Sequence, residues 1–349
     1  MNQKEIDSRD KLKEEKPLVY KKVLQNKIAP IIQLQYDYRC NMKCSFCSIQ
    51  KMQNKKRRSL NPIDVKNICN QADELGLYRI VITGGEPTII KDLEEIVQAI
   101  DTKRFFINMD SNGYLLNEDK IKYLKKIGID RIQLSIDNLY PEDHDSFRCI
   151  KGSHERCMKA VDYCINNNMG IFIQTVVTKQ RLHSKEFIDF IEYFNNKGVM
   201  VFITFSKPVG LFENHLDEMI NEDDLRFEEE LEKIYNVCTH LTPGYGANLE
   251  RHCVAAKNIF SITAYGDCIP CPYFYCSFGN LFEESLETIL NRMQSLKFFR
   301  KPNCPIAMDK NLATKLYNKE LPVNYKEIFN ESDFTMKRQK ESPMSSALG

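Results

Sequence analysis

Short apolar runs alternate with longer stretches of helical spacing along most of the chain. IIQLQY (31–36), YRIVIT (78–83), RFFINMDS (104–111), RIQLSID (131–137), IFIQTVV (171–177) and VMVFITF (199–205) read as strands. Between and after them, helices are predicted near 62–75, 93–100, 118–126, 154–167, 184–196 and 222–236. Asn61 can cap the first of these, and Pro62 fits its first turn.

Strand and helix in regular succession predict an α/β fold. Six units make a partial (β/α)6 TIM-like barrel over residues 28–238, short of the eight that close a full one. Residues 1–27 read as a polar lead. The rhythm breaks at THLTPGYGAN (239–248), and 239–310 predict a small second domain with a hairpin through FSITAYGDCIP and a helix near 284–296. Residues 311–349 read as a polar tail ending in a disordered tip, SPMSSALG.

At 349 residues, 42% of them hydrophobic and 28% charged, the chain can bury a large core. Lys and Arg number 49 against 48 Asp and Glu, which gives no support to general nucleic-acid binding. The charged N-terminus lacks the apolar core of a signal peptide, and no later run suits a membrane span, so a cytoplasmic protein is expected. Lys51, Lys55, Lys56, Arg57 and Arg58 cluster locally, either as a solvated loop or as a contact for an anionic substrate. Thirteen cysteines, an odd number, point to thiols and metal ligands in a reducing compartment.

Cys40, Cys44 and Cys47 form C-x3-C-x2-C directly after the first strand. Three soft ligands on one short loop suit iron clusters or zinc, and the missing fourth ligand leaves a position for another molecule. Gly84, Gly85, Glu86 and Pro87 end the second strand, where two glycines allow close backbone approach. Ser111, Asn112 and Gly113 end the third, and Leu134 to Asp137, with Ser135, end the fourth. Barrel folds place their sites at these carboxyl ends.

On these motifs the chain resembles the radical S-adenosylmethionine (SAM) superfamily. The resemblance implies a 4Fe–4S cluster on Cys40, Cys44 and Cys47 whose open iron binds SAM, with Phe46 as the aromatic residue before the last cysteine. It assigns Gly84, Gly85 and Glu86 to the methionyl ammonium, and Ser111, Asn112 and Ser135 to the ribose and carboxylate. Gln174 and Lys207 lie where relatives contact substrate or adenosine.

A second group follows the barrel. Cys253 and Cys271 are separated by seventeen residues, then come Cys276 and, after a helix, Cys304. With YGDCIPC and the later Gly279–Asn280 pair, the segment resembles the SPASM and Twitch auxiliary-cluster domains. The resemblance implies one auxiliary 4Fe–4S cluster, on the Twitch plan, ligated by Cys253, Cys271, Cys276 and Cys304; Cys268 is the alternative to Cys276, and zinc the alternative metal. Cys268 and Cys149 are the thiols expected to donate hydrogen to a substrate radical.

The implied activity is formation of a 5′-deoxyadenosyl radical that takes hydrogen from a small molecule, as an oxidoreductase or epimerase. The alternatives are modification of a precursor peptide, for which the acidic helix at 222–235 offers a contact, and non-catalytic electron transfer. A flavodoxin- or ferredoxin-like donor is the expected electron source.

Overall fold

The computed structural model describes residues 12–25, 31–243, 251–300 and 303–335. Residues 1–11, 26 and 27 of the polar lead, the second half of the 239–248 break and the chain's last residues lie outside the described residues.

The six expected strands form: β1 (Ile31–Asp37), β2 (Arg79–Gly84), β3 (Phe106–Ser111), β4 (Arg131–Ser135), β5 (Gly170–Val177) and β6 (Val201–Phe205). They pair in parallel in chain order, and the helices Pro62–Glu74, Leu93–Ile100, Glu118–Ile127, Ser153–Asn166 and Lys185–Asn196 connect them. Asn61 accepts from the backbone N–H groups of Ile63 and Asp64, and Pro62 occupies the first turn, as the sequence predicts.

The sheet extends at both edges. β7 (Val237–Cys238) pairs with β6, and β8 (Ile259–Ile262) pairs in parallel with β1, Ile31 opposite Ile259, with β9 (Cys268–Ile269) antiparallel beyond it. The full order is β7-β6-β5-β4-β3-β2-β1-β8-β9. The expected hairpin is therefore continuous with the barrel sheet.

Two further elements depart from the sequence reading. Pro141–Arg148 is a helix between the fourth strand and the helix near 154–167, where the sequence pattern predicts none; it buries His144 and Arg148, so it has no apolar stripe to reveal it. Residues 311–335, assigned to a polar tail, pack instead: Leu312, Leu316, Val323, Ile328 and Phe329 join the main core, and β11 (Val323–Asn324) pairs with β10 (Cys276–Ser277). Their apolar residues are too scattered to announce an element.

Four of the five residues of the basic cluster are ion-paired. Arg57 pairs with Asp267 at 2.8 Å, Arg58 with Asp64 at 2.7 Å and Lys55 with Glu320 at 3.4 Å, while Lys51 pairs with Glu213. The Arg57 and Lys55 pairs tie the cysteine loop's exit to the C-terminal region. The acidic helix Glu222–Ile234 likewise gives Glu228, Glu229 and Glu232 to Arg251.

Alternation along each strand divides the sheet's two faces. Ile80 and Ile82 of β2, and Ile107 and Met109 of β3, join the large core that the helices complete. Gln33, Gln35, Thr83, Asp110, Ser135, Gln174 and Thr204 take the other face and line the barrel's cavity.

Candidate functional site

The cavity at the carboxyl ends of the strands has a volume of about 210 Å³. Cys40, Cys44, Cys47, Phe46, Gly84, Gly85, Glu86, Ser111, Asn112 and Ser135 all line it, and so do Gln174 and Lys207.

Backbone contacts explain how the first two motifs meet. Gly85 N–H donates to the Asp37 carbonyl at 2.7 Å and Glu86 N–H to the Arg39 carbonyl at 2.9 Å, which locks the GGEP turn against the start of the cysteine loop. A Cβ on Gly85 would stand 1.8 Å from the Arg39 carbonyl oxygen, and one on Gly84, whose φ is +121°, 2.3 Å from that of Asp37. Gly85→Ala is expected to destabilise the protein by about 3 kcal/mol or more, within the range of severe backbone and overpacking changes. A urea titration of the iron-free protein measures this, and a midpoint equal to wild type would remove the argument.

Glu86 is used internally. One carboxylate oxygen accepts from Thr88 N–H at 3.1 Å, Thr88 Oγ1 at 2.6 Å and Ser111 Oγ at 2.9 Å; the other accepts from Asn112 N–H at 2.7 Å. Burial raises its pKa while these donors oppose the rise. Glu86 thereby fixes the ends of β2 and β3 to each other. Asn112 then reaches the cysteine loop, with Nδ2 2.8 Å from Asn41 Oδ1 and 3.8 Å from Cys40 Sγ.

The three thiols are partly accessible, and burial raises the pKa of each, that of Cys40 to about 11. Arg148 opposes the rise at Cys44. Arg148 is held by Asp137, with Nε 2.6 Å from the carboxylate, and lies 5.1 Å from the Phe46 ring, which stacks on Phe147 at 3.9 Å. Sequence reasoning missed Arg148 and Phe147 because they belong to the unexpected helix.

Asp110 and Tyr273 also went unremarked in the sequence. Asp110 closes the third strand's inward row; its Oδ1 is shut off from solvent without a hydrogen-bond partner. Burial pushes its carboxyl up to about 7, with Glu86 adding to the rise and a hydrogen bond from Thr83 opposing it. A carboxyl whose folded pKa exceeds its unfolded value loses stability as pH climbs from about 4 to about 7. Asp110→Asn is therefore expected to raise the thermal midpoint little at pH 5 and by several degrees at pH 8. Equal midpoints at both pH values would show that the carboxyl titrates normally.

The second group divides. Cys253, Cys271 and Cys304 line one enclosed apolar cavity of about 40 Å³ with His240, Lys207, Pro272 and Tyr273. Cys276 does not line it: it lies on β10, paired with Val323 and fully buried in the main core. Cys268 is buried on β9, hydrogen-bonded through its backbone to Gly279 and Phe278. The structure thus brings three of the four expected auxiliary ligands together and separates Cys276, because β10 is held in place by β11.

The two expected hydrogen donors open onto neither cavity. Cys268 is enclosed by core side chains. Cys149 is exposed just past the helix Pro141–Arg148, at a φ of +55°, with Sγ 3.5 Å from the Ser146 carbonyl.

Both thiol sets suit clusters. A cubane takes its thiolates at separate corners, and each set presents three around one cavity. Among the described residues no helix is long and apolar enough to cross a membrane.

Comparison with known proteins agrees with the resemblance drawn from the motifs. Residues 36–222, more than half of the chain, match the radical SAM superfamily, and residues 253–310 match the SPASM iron–sulfur cluster-binding domain. The AdoMet-dependent heme synthase of Nitratidesulfovibrio vulgaris is 23% identical over 291 residues, 75% of this chain and 78% of that protein. The PqqA peptide cyclase of Rhizobium meliloti is 28% identical over 145 residues, 42% of this chain but only 39% of its own length. Among solved structures, Streptococcus suis SuiB bound to its precursor peptide SuiA superposes with a TM-score of 0.61 at 18% identity, covering 78% of this chain and 67% of that one. The two family matches bring with them a 4Fe–4S cluster that binds SAM and auxiliary iron–sulfur ligation behind the barrel. The chain belongs to the radical SAM superfamily and carries a SPASM domain.

Proposed function

We propose that the protein dehydrogenates a small, polar molecule, using the SAM-binding cluster of Cys40, Cys44 and Cys47 and one auxiliary 4Fe–4S cluster, on the shorter Twitch plan. SAM, cleaved reductively when bound at the first cluster, supplies the 5′-deoxyadenosyl radical that takes a hydrogen atom from substrate. The observation that carries the reading is the lining of the barrel cavity. Gln33, Gln35, Asp110, Gln174, Thr204 and Tyr273 offer amide, carboxyl and hydroxyl groups, which suit a hydroxylated or aminated substrate better than an apolar one.

Oxidation is favoured over epimerisation. Returning a hydrogen atom to the substrate radical requires a donor in the cavity, and neither Cys149 nor Cys268 lines it. Oxidation instead requires an electron acceptor. The cavity of Cys253, Cys271 and Cys304 shares Lys207, Pro272 and Tyr273 with the barrel cavity, so an acceptor held there would stand one side chain from substrate.

Modification of a precursor peptide is the second reading, supported by the match to the PqqA peptide cyclase. The test is anaerobic incubation with SAM, a flavodoxin- or ferredoxin-type reductant and carbon-deuterated sugars, aminocyclitols, hydroxy acids or short peptides. Deuterium in 5′-deoxyadenosine from a small molecule, with the matching carbonyl product, is the expected result. Deuterium from peptides alone would select the second reading. No SAM cleavage by a loaded and reduced enzyme would leave only electron transfer, in a cytoplasmic carrier.

A further inference from the structure

Lys207 stands in the wall between the two cavities. It follows β6, lines the barrel cavity beside Ser206, and lines the cavity of Cys253, Cys271 and Cys304 as well. Only 9% of the residue is exposed. Its ammonium donates to the Phe205 carbonyl at 2.8 Å and lies 4.2 Å from the centre of the Tyr273 ring. No Asp or Glu is within ion-pair distance of it among the described residues; the ionisable groups that act on its charge are Cys304, Cys271 and Cys253.

A buried ammonium with one carbonyl and one aromatic face has not recovered the hydration it gave up. It calls for an anion. Three neutral thiols do not provide one, but three thiolates around an iron–sulfur core do, and such a cluster becomes more negative when it accepts an electron. Compact and directional demands differ here: a point charge on a flexible stem acts at short range without needing a fixed fork of donors.

We infer that Lys207 is the counter-charge of the auxiliary cluster, set on the substrate side so that the reduced cluster is stabilised and draws its electron from the barrel cavity. The inference rests on the reading of Cys253, Cys271 and Cys304 as cluster ligands, which iron content tests separately.

The experiment is a redox titration of the fully loaded enzyme followed by electron paramagnetic resonance, in wild type, Lys207→Met and Lys207→Arg. Methionine keeps the stem and removes the charge; arginine keeps the charge. The expected result is a shift of the auxiliary cluster's reduction equilibrium by about tenfold in Lys207→Met, about 59 mV toward lower potential, with Lys207→Arg close to wild type and the first cluster moved less. Loss of the second cluster's iron in Lys207→Met but not in Lys207→Arg supports the same conclusion, because arginine retains the positive charge that methionine removes. An unchanged auxiliary potential in Lys207→Met overturns it. Loss of iron in both variants, or a shift confined to the first cluster, also overturns it and assigns Lys207 to packing or to the barrel cavity. If wild type itself binds only one cluster, the ligand reading fails, and the counter-charge role fails with it.

Discussion

Replacing Cys40, Cys44 and Cys47 together by alanine is expected to lower SAM cleavage by about 10³-fold or more, since the three act as one unit and none can substitute for another. The same variant should lose about four irons per chain, those of a single 4Fe–4S cluster. Folding should survive. The three thiols are partly accessible at the mouth of the cavity and lie outside the fully buried core, so their removal leaves no closed void. A thermal midpoint of the iron-free variant within a few degrees of iron-free wild type would show that ligation, not folding, was removed. Formation of 5′-deoxyadenosine at the wild-type rate would refute the assignment of the SAM-binding cluster to this loop.

How far the sequence reaches depends on the range of the interaction being read. The strands and their helices were legible because burial imposes a period on neighbouring residues; Leu93–Ile100 is recovered to the residue. The Asn61 cap was legible for the same local reason. Pairing between distant segments was not. Nothing in IFSI says that it lies against β1, more than two hundred residues earlier, and nothing in VN says that it lies against Cys276.

The first cavity followed from motifs because its residues sit at the ends of consecutive parallel strands, so chain order and spatial order coincide. The roles within it are less legible. Glu86 reads as a ligand-facing carboxylate, yet four donors from Thr88, Ser111 and Asn112 occupy it. Asp110 reads as an ordinary strand residue, and only the closed fold shows its Oδ1 without a partner.

The auxiliary site offers the sharpest comparison, since the resemblance implies both Cys276, with Cys268 as its alternative, and Cys304 as ligands. Cys304→Ala is expected to lose the second cluster's iron, about four atoms per chain, while SAM cleavage at the first cluster persists. Cys276→Ala is expected to keep that iron. Its thiol is a small apolar group in the core, so the substitution should cost about 1 kcal/mol, the scale of a lost methyl-sized contact. The two variants separate because of where each cysteine is anchored. Cys304 begins a turn into the short helix Pro305–Met308 and lines the cavity of Cys253 and Cys271, whereas Cys276 is bound into a strand pair with Val323. Bringing Cys276 to that cavity would break the β10–β11 pairing and withdraw a buried side chain from the core. Iron lost from Cys276→Ala, with Cys304→Ala fully loaded, would mean that the cluster reorganises this region when it binds, and the three-thiol cavity would no longer identify the ligands.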